Sequence, residues 1–205
     1  MKYTIVSGSL QENSQSLKVS RYIADRLESY EETEQVFLID LQQQPLMFWD
    51  VSFWSGDAKW NAVWNDKKQQ LQQSDSLILV TPEYNGMATP NLKNFLLLVT
   101  PEEVGHKPAL IVSVSASGGG SYCINELRAS GYKNTKLCYI PEHLIIRDVN
   151  KVLNDSSDQN DERKHAYIEK RIAYTLKVLE LYGKTFQKLR SNKDILVHKD
   201  FPFGM

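Results

Sequence analysis

Cysteine is scarce in this sequence. The 205 residues include two cysteines, Cys123 and Cys138, and their spacing is neither a CxxC pair nor a typical metal-site pattern. The four histidines stand in unrelated contexts, and no catalytic triad is evident. We therefore expect two reduced, structural thiols, as is usual in a cytosolic protein, and no metal site.

Long hydrophobic runs and an excess of one charge are also missing. No window approaches the 18 apolar residues of a membrane span, and the N-terminal apolar run is too short for a signal peptide. We therefore expect a cytoplasmic protein without a membrane segment. The formal net charge is −1 and the pI is about 6.4, so no basic field indicates a nucleic-acid partner.

Apolar runs alternate with amphipathic segments along the chain, whose hydrophobic fraction of 41% is enough to fill a core. Strands are predicted at residues 2–7, 35–41, 75–81, 107–115 and 135–146, the last limited by Pro141 to a sheet edge or a bend. Helices are predicted after Ser14 or Ser16, over 57–73, from Pro90 to Pro101, over 122–130, and in a long final segment after Ser157 or Asp158.

This alternation predicts an α/β fold with a five-stranded parallel sheet and helices on both faces. The common order for five doubly wound strands is 2-1-3-4-5, in which strands one, three and four are neighbours. The polar loops after these three strands should then converge into one site. We expect a single domain over residues 1–190 and a C-terminal tail over 191–205.

The loop after the first strand is rich in hydroxyl and amide groups. Ser9, Gln11, Ser14 and Ser16 precede or open a helix, whose N-terminal N–H groups would face the same point. The loop is neither a Walker A motif nor a GxGxxG motif. An anion cradle and an ordinary capping loop both fit this pattern.

The other two loops carry turn residues and glycines. Residues 82–86 include Glu83, Tyr84 and Asn85, which could frame a planar ring or could form only an Asn-Gly turn. The glycines at 118–120 allow a close backbone approach to a ligand, and equally suit a flexible turn.

Four stretches together resemble the NADPH-dependent FMN reductase family: GSL…NS at 8–14, TPEYNGMATPNLKN at 81–94, KPALIVSVSASGGG at 107–120 and ELR at 126–128. The resemblance covers residues 2–146 and implies a flavodoxin-like fold. It also implies that three groups of residues bind FMN. The phosphate would be held by Ser9, Ser14 and Ser16, the isoalloxazine would be flanked by Pro82, Glu83, Tyr84, Asn85 and Gly86, and its other edge would be lined by Ser117, Gly118, Gly119 and Gly120.

One position departs from the family pattern. The family usually has arginine where this chain has Gln11, and losing that cation weakens a charge-assisted phosphate contact. Either FMN affinity is lower, or another residue compensates, such as Lys93 or a residue of a partner subunit. The apolar run at 95–98 suggests a larger subunit contact, and we expect a homodimer or homotetramer.

The resemblance implies an FMN-dependent NAD(P)H oxidoreductase with a ping-pong cycle. The acceptor would be a small molecule: a flavin, a quinone, an azo compound or a metal ion. Two alternatives are a flavodoxin-type electron carrier, which a net charge of −1 disfavours, and an interaction module that no longer binds flavin.

The segment at 42–56 is rich in aromatic residues and has no clear period. It could be a long loop that folds onto the core, or a subunit-contact or substrate-facing surface. We expect residues 48–54 to influence the choice of acceptor.

Overall fold

Five parallel strands form one sheet in the order β2-β1-β3-β4-β5 in the structure, a computed structural model that describes residues 1–196, 198 and 200–204. The strands are β1 (Lys2–Ser7), β2 (Gln35–Asp40), β3 (Ser76–Pro82), β4 (Pro108–Val114) and β5 (Cys138–Ile146). The helices are α1 (Gln15–Glu28), α2 (Asn61–Gln73), α3 (Pro90–Leu98), α4 (Pro101–Val104), α5 (Ser121–Arg128), α6 (Glu162–Arg190) and α7 (Lys193–Leu196). The predicted flavodoxin-like fold and strand order are confirmed.

The helices cover both faces of the sheet, as the alternating pattern predicts. On one face, α1 and α6 pack their apolar stripes against the sheet through residues such as Ile23 and Leu176. On the other face, α2, α3 and α5 do so through residues such as Trp64, Phe95 and Leu127. Each helix stripe buries apolar surface that would otherwise contact water.

The two central strands form the platform for the site. Every residue of β3 and β4 is buried, as expected for strands covered on both faces. Their carboxyl ends, and that of β1, lie side by side at one edge of the sheet. The loops that leave these three strands therefore start from a rigid, fully packed base.

Helix starts near the site follow the predicted signals. Ser14, rather than Ser16, caps α1, since its Oγ accepts the N–H of Leu17 at 3.1 Å. Thr89 caps α3, and Pro90 occupies the first turn of that helix.

Two predicted helix boundaries before β4 are wrong. Asp57 caps a 3₁₀ turn, Ala58–Trp60, and α2 begins only after it. Pro101 does not end α3, which stops at Leu98; it instead opens α4, where Thr100 and Glu103 form a capping box.

The final helix starts later than predicted. Ser157 and Asp158 lie in a separate 3₁₀ turn, and Asp161 caps α6 by accepting the N–H of Lys164 at 3.0 Å. Several Ser, Asp and Asn residues precede this helix, and any of them could have served as the cap. The sequence therefore does not specify which of these residues is the N-cap of α6.

Strand β5 lies at the edge of the sheet and contains Pro141, as predicted. Its pairing with β4 shifts register between Ala109 and Ile111. A guanidinium nitrogen of Arg128 donates to the carbonyl oxygens of Ile140 at 2.9 Å and Pro141 at 2.8 Å.

Among the residues that the structure describes, no helix has both the length and the apolar character needed to cross a membrane.

Candidate functional site

The loops after β1 and β3 are joined by direct hydrogen bonds. The N–H of Gly8 donates to the carbonyl of Val80 at 2.8 Å, and the Thr89 hydroxyl donates to the carbonyl of Gly8 at 2.7 Å. A Cβ on Gly8 would lie 3.0 Å from Val80 O and from Leu92 Cβ, so this approach requires glycine. The predicted convergence of these two loops is confirmed.

The β1–α1 loop presents hydroxyl groups at the N-terminus of α1. Ser9, Ser14 and Ser16 are buried, and Ser9 Oγ accepts the N–H of Gln11 at 3.2 Å. The Ser16 Oγ is buried and has no hydrogen-bond partner within the described part of the chain. The first N–H groups of a helix also lack intrahelical partners. This corner can therefore donate several hydrogen bonds to an anion.

Lys93, the residue of this chain predicted to replace the missing arginine, does not supply a free cation to this corner. Gln11 is exposed, and Lys93 holds Glu126 with 2.8 Å between Nζ and Oε1. The Lys93 ammonium is thus engaged on α5 rather than presented to an anion. The donors in this loop are hydroxyl, side-chain amide and backbone groups, all of them neutral.

The loop after β3 forms a tight turn beside this corner. Tyr84 and Met87 exchange two backbone hydrogen bonds, at 3.0 and 2.9 Å, around Asn85 and Gly86. Asn85 has a φ of 51° and Gly86 a φ of 74°, the left-handed values that an Asn-Gly turn requires. The Tyr84 side chain is 41% exposed and can contact a planar ligand.

Glu83 connects this turn to the loop after β4. Its carboxylate accepts the N–H of Gly120 at 2.9 Å, of Tyr122 at 2.9 Å and of Cys123 at 3.3 Å. Burial pushes the pKa of Glu83 up, but these backbone N–H groups outweigh it and hold the pKa below its ordinary value. Glu83 therefore caps α5 as an anion and fixes one loop against the other.

The glycine loop is shaped by this contact and by the sheet. Gly120 has a φ of 106°, and a Cβ there would lie 2.5 Å from Ile145 Cγ2. A Cβ on Gly119 would lie 2.8 Å from Glu83 Oε1, whereas a Cβ on Gly118 would meet nothing within 4 Å. Gly120 is therefore constrained by packing and by its backbone conformation, Gly119 meets the movable Glu83 carboxylate, and Gly118 leaves open space beside its Cα.

Residues after β5 support the glycine loop from the other side, and sequence reasoning missed them. Arg147 Nε donates to the carbonyls of Gly118 at 2.7 Å and Gly119 at 2.9 Å. The N–H of Asp148 donates to the carbonyl of Ser117 at 3.2 Å. The signal available in the sequence was the position of Arg147, directly after the fifth strand.

Two further charged residues hold the site together. Glu126 accepts the N–H of Ala88 at 2.6 Å, so α5 fixes the end of the turn that follows β3. Lys18 on α1 donates to the carbonyls of Val149 at 2.7 Å and Val152 at 2.9 Å. The sequence marks Glu126 only as part of the ELR motif at 126–128, and Lys18 carries no signal beyond its helix position.

The aromatic segment over residues 42–56 is partly core and partly surface. Asn94 on α3 fixes it, accepting the N–H of Trp49 at 2.7 Å and donating to the carbonyl of Met47 at 2.8 Å. Phe53 packs against the core, whereas Phe48 and Trp54 are 74% and 75% exposed. The interpretation as a loop folded onto the core is therefore confirmed for Phe53, whereas a subunit-contact or substrate-facing role of the exposed residues stays a prediction.

Comparison with known proteins gives one matching family. The model of the NADPH-dependent FMN reductase family matches residues 1–151. An FMN-dependent NADPH-azoreductase of Staphylococcus aureus (strain USA300) is 30% identical over 131 residues, which cover 62% of this chain and 68% of that protein. An NADPH azoreductase of Bacillus sp. (strain OY1-2) is 26% identical over 133 residues, or 63% of this chain and 68% of that protein.

Solved structures share the fold at lower identity. FerB, a flavoenzyme NAD(P)H:(acceptor) oxidoreductase from Paracoccus denitrificans, superimposes with a TM-score of 0.64 at 17% identity. That alignment covers 91% of this chain and 97% of FerB. The similarity extends the fold assignment beyond the segment that the family model matches.

Proposed function

Because the chain belongs to the NADPH-dependent FMN reductase family, we propose that it catalyses electron transfer from NAD(P)H to a small-molecule acceptor by a ping-pong cycle. Membership makes it an NAD(P)H-dependent oxidoreductase that uses FMN. One observation carries the proposal: three loops are hydrogen-bonded to each other at the carboxyl ends of β1, β3 and β4. That edge is where open α/β sheets bind their ligands.

The phosphate end of FMN fits the β1–α1 loop. We assign Ser9, Ser14 and Ser16 to the phosphate, together with the N-terminal N–H groups of α1. The Ser16 hydroxyl supports this assignment, because it lies in the first turn of α1 and has no hydrogen-bond partner within the described residues. Gln11 can add a neutral contact but no charge.

The ring end of FMN fits the two other loops. We assign the segment 82–86 to one side of the isoalloxazine and the segment 117–120 to its other edge. Tyr84 and Asn85 are exposed at the turn, and Gly118 leaves open space beside its Cα. Glu83 would act on the ring indirectly, by holding Gly120 and the start of α5. FMN, when bound, would accept a hydride from the nicotinamide and pass the two electrons on to the acceptor.

The acceptor is a flavin, a quinone, an azo compound or a metal ion. Two relatives are named as azoreductases, which favours an azo compound or a chemically similar quinone. That residues 48–54 influence the choice stays a prediction. Steady-state kinetics of Trp54→Ala and Phe53→Ala on several acceptors test it, and an unchanged preference together with unchanged assembly would contradict it.

Assembly, location and domain limits belong to the same proposal. A homodimer or homotetramer is supported by the exposed apolar side chains of Leu97 on α3 and Phe48 beside it, which light scattering would test. We propose a cytoplasmic location, a single domain over 1–190 and a tail over 191–205. Cell fractionation tests the location, and limited proteolysis that trims only residues after 190 would support the domain limits.

The visible absorption spectrum of the purified protein separates the main hypotheses. Yellow protein that releases FMN on denaturation and oxidises NADPH with an added acceptor supports the reductase. Yellow protein that does not oxidise NADPH indicates an electron carrier. Colourless protein that takes up no added FMN indicates an interaction module and overturns the proposal.

A further inference from the structure

A second cleft lies outside the three loops of the proposed flavin site. Its volume is about 470 Å³, within the range of small-molecule sites. It runs between α2, the start of α4 and the C-terminal residues. Its described lining residues are Phe53, Trp54, Gly56, Asp57, Trp60, Asn61, Trp64, Asn65, Lys68, Thr100, Pro101, Glu102, Glu103, Pro202 and Phe203. None of them belongs to the loops after β1, β3 or β4.

Aromatic rings form much of this lining. Trp60 and Trp64 are buried at the base, and Phe53 packs edge-on against both, with centroid distances of 5.2 and 6.3 Å. Trp54 and Phe203 stand at the rim and are 75% and 70% exposed. Two large aromatic side chains left in water at one concave surface are typical of a binding site.

The charge of the cleft is negative. The described lining carries three carboxylates, on Asp57, Glu102 and Glu103, and one ammonium, on Lys68. Lys68 lies 3.1 Å from a Glu102 oxygen and 3.4 Å from a Glu103 oxygen. Glu103 is buried in its capping box, so Asp57 and Glu102 are the exposed carboxylates of the described lining. Three carboxylates and one ammonium leave a formal charge of −2, so a positively charged ligand would be favoured over a negatively charged one.

The aromatic rings here already hold a cation in one place. The Lys59 ammonium lies 5.6 Å from the centroid of the Trp60 ring and 3.0 Å from Asp50 Oδ2. An indole beside a carboxylate is thus a cation site at the edge of the same surface. Trp54 lines the same cleft as Asp57 and Glu102 and is 75% exposed, with its ring 4.7 Å from that of Trp49 between centroids.

We propose that this cleft binds a small organic cation with an aromatic ring, with the ring among Phe53, Trp54 and Phe203 and the positive charge toward Glu102. The proposal does not rest on flavin binding, because its residues and those of the three loops are separate sets. It assigns a function to the exposed part of the aromatic segment.

Isothermal titration calorimetry tests the proposal on the full chain saturated with FMN, so that the flavin loops are occupied. The probe is benzyltrimethylammonium, compared with tetramethylammonium, which lacks the ring, and benzenesulfonate, which reverses the charge. We expect one saturable site per chain for the aromatic cation and weaker binding of the other two. Equal binding of benzenesulfonate would overturn the charge argument and with it the proposal.

Two variants and two controls locate the site. Trp54→Ala and Glu102→Gln should each weaken binding of the aromatic cation about threefold or more, the effect of losing one exposed cation–π or charge contact. Tyr167→Ala and Glu28→Gln change an exposed aromatic ring and an exposed carboxylate elsewhere and should leave binding unchanged. The proposal is overturned by unchanged binding in both cleft variants, or by sedimentation showing that Trp54→Ala dissociates an oligomer, since a second copy then covers the cleft.

Discussion

The Glu83 carboxylate accepts the backbone N–H of Gly120 at 2.9 Å, although the two residues are 37 positions apart in the chain. The same carboxylate caps α5, so one side chain joins the loop after β3 to the loop after β4. The position of the glycine loop thus depends on an acidic residue that sequence reasoning had placed against the flavin ring.

Glu83→Gln should destabilise the protein by about 1.5 kcal/mol and weaken FMN binding. The amide has one acceptor oxygen in place of two, and its NH₂ group would face backbone N–H groups. Urea unfolding and fluorescence titration with FMN measure the two effects. Glu28→Gln changes an exposed carboxylate on α1 and should alter neither.

The wild type and Glu83→Gln should also differ in how their stability depends on pH. The pKa of Glu83 is lowered in the folded state. The stability that its ionised carboxylate adds is therefore fully present above about pH 4.3, the pKa of an unfolded glutamate. The contribution is lost as the pH falls through the folded-state pKa. The stability difference between the wild type and Glu83→Gln should therefore be constant near neutral pH and shrink in acid. A difference that grows in acid would contradict this.

Gly120→Ala should cost about 2–4 kcal/mol, because the new Cβ would meet Ile145 Cγ2 at 2.5 Å and the φ of 106° is strained for alanine. Gly118→Ala is the matched control, since its Cβ would meet nothing within 4 Å. Chemical denaturation of the two variants compares them directly. Equal losses of stability would show that the loop does not require glycine at position 120.

Gln11→Arg should tighten FMN binding about tenfold, because a charge-assisted contact to phosphate is stronger than a neutral one. The gain should fall as salt rises, since the side chain is exposed. Gln69→Arg adds the same charge on the exposed surface of α2 and should leave FMN affinity unchanged. Tighter binding in both variants would mean that net charge, not position, is responsible.

Lys107→Met should change how stability depends on pH. Lys107 donates to the carbonyls of Leu71 at 2.5 Å and Gln72 at 3.1 Å, and burial lowers its pKa to about 7. An unfolded lysine stays charged up to about pH 10.4, so between these values the unfolded state binds more protons and stability rises with pH.

The wild type should therefore gain on the order of 1 kcal/mol per pH unit over the variant between about pH 7 and 10. Lys188→Met, at an exposed position of α6, should run parallel to the wild type. Parallel curves for Lys107→Met and the wild type would show that the amine is not neutralised on folding.

The architecture was predictable from the sequence because its signals are local and redundant. The fully buried strands β3 and β4 are nearly continuous apolar runs in the sequence. Thr89-Pro90 marks a helix start twice, because threonine is a good N-cap and the proline ring fixes a helical φ. For five parallel strands that alternate with helices, the common order is 2-1-3-4-5, and this order brings the loops after β1, β3 and β4 together.

The connections between the loops were not predictable, because they depend on residues distant in the chain. Nothing near Glu83 signals that it caps a helix about 38 residues later, and Arg147 meets the glycine loop only through the pairing of β4 with β5. The predicted α6 cap was wrong for a different reason: several nearby residues are of types that cap helices, and the sequence alone does not distinguish Asp161 from them.

The edge strand β5 restricts how copies of this chain can associate. Pro141 has no N–H to offer a neighbouring strand, and Arg128 already donates to the carbonyl oxygens of Ile140 and Pro141. A continuous sheet running from one copy into the next across this edge is therefore disfavoured. Association through the β5 edge must therefore use helix and loop surfaces, while β2, the strand at the other edge of the sheet, is not restricted in this way.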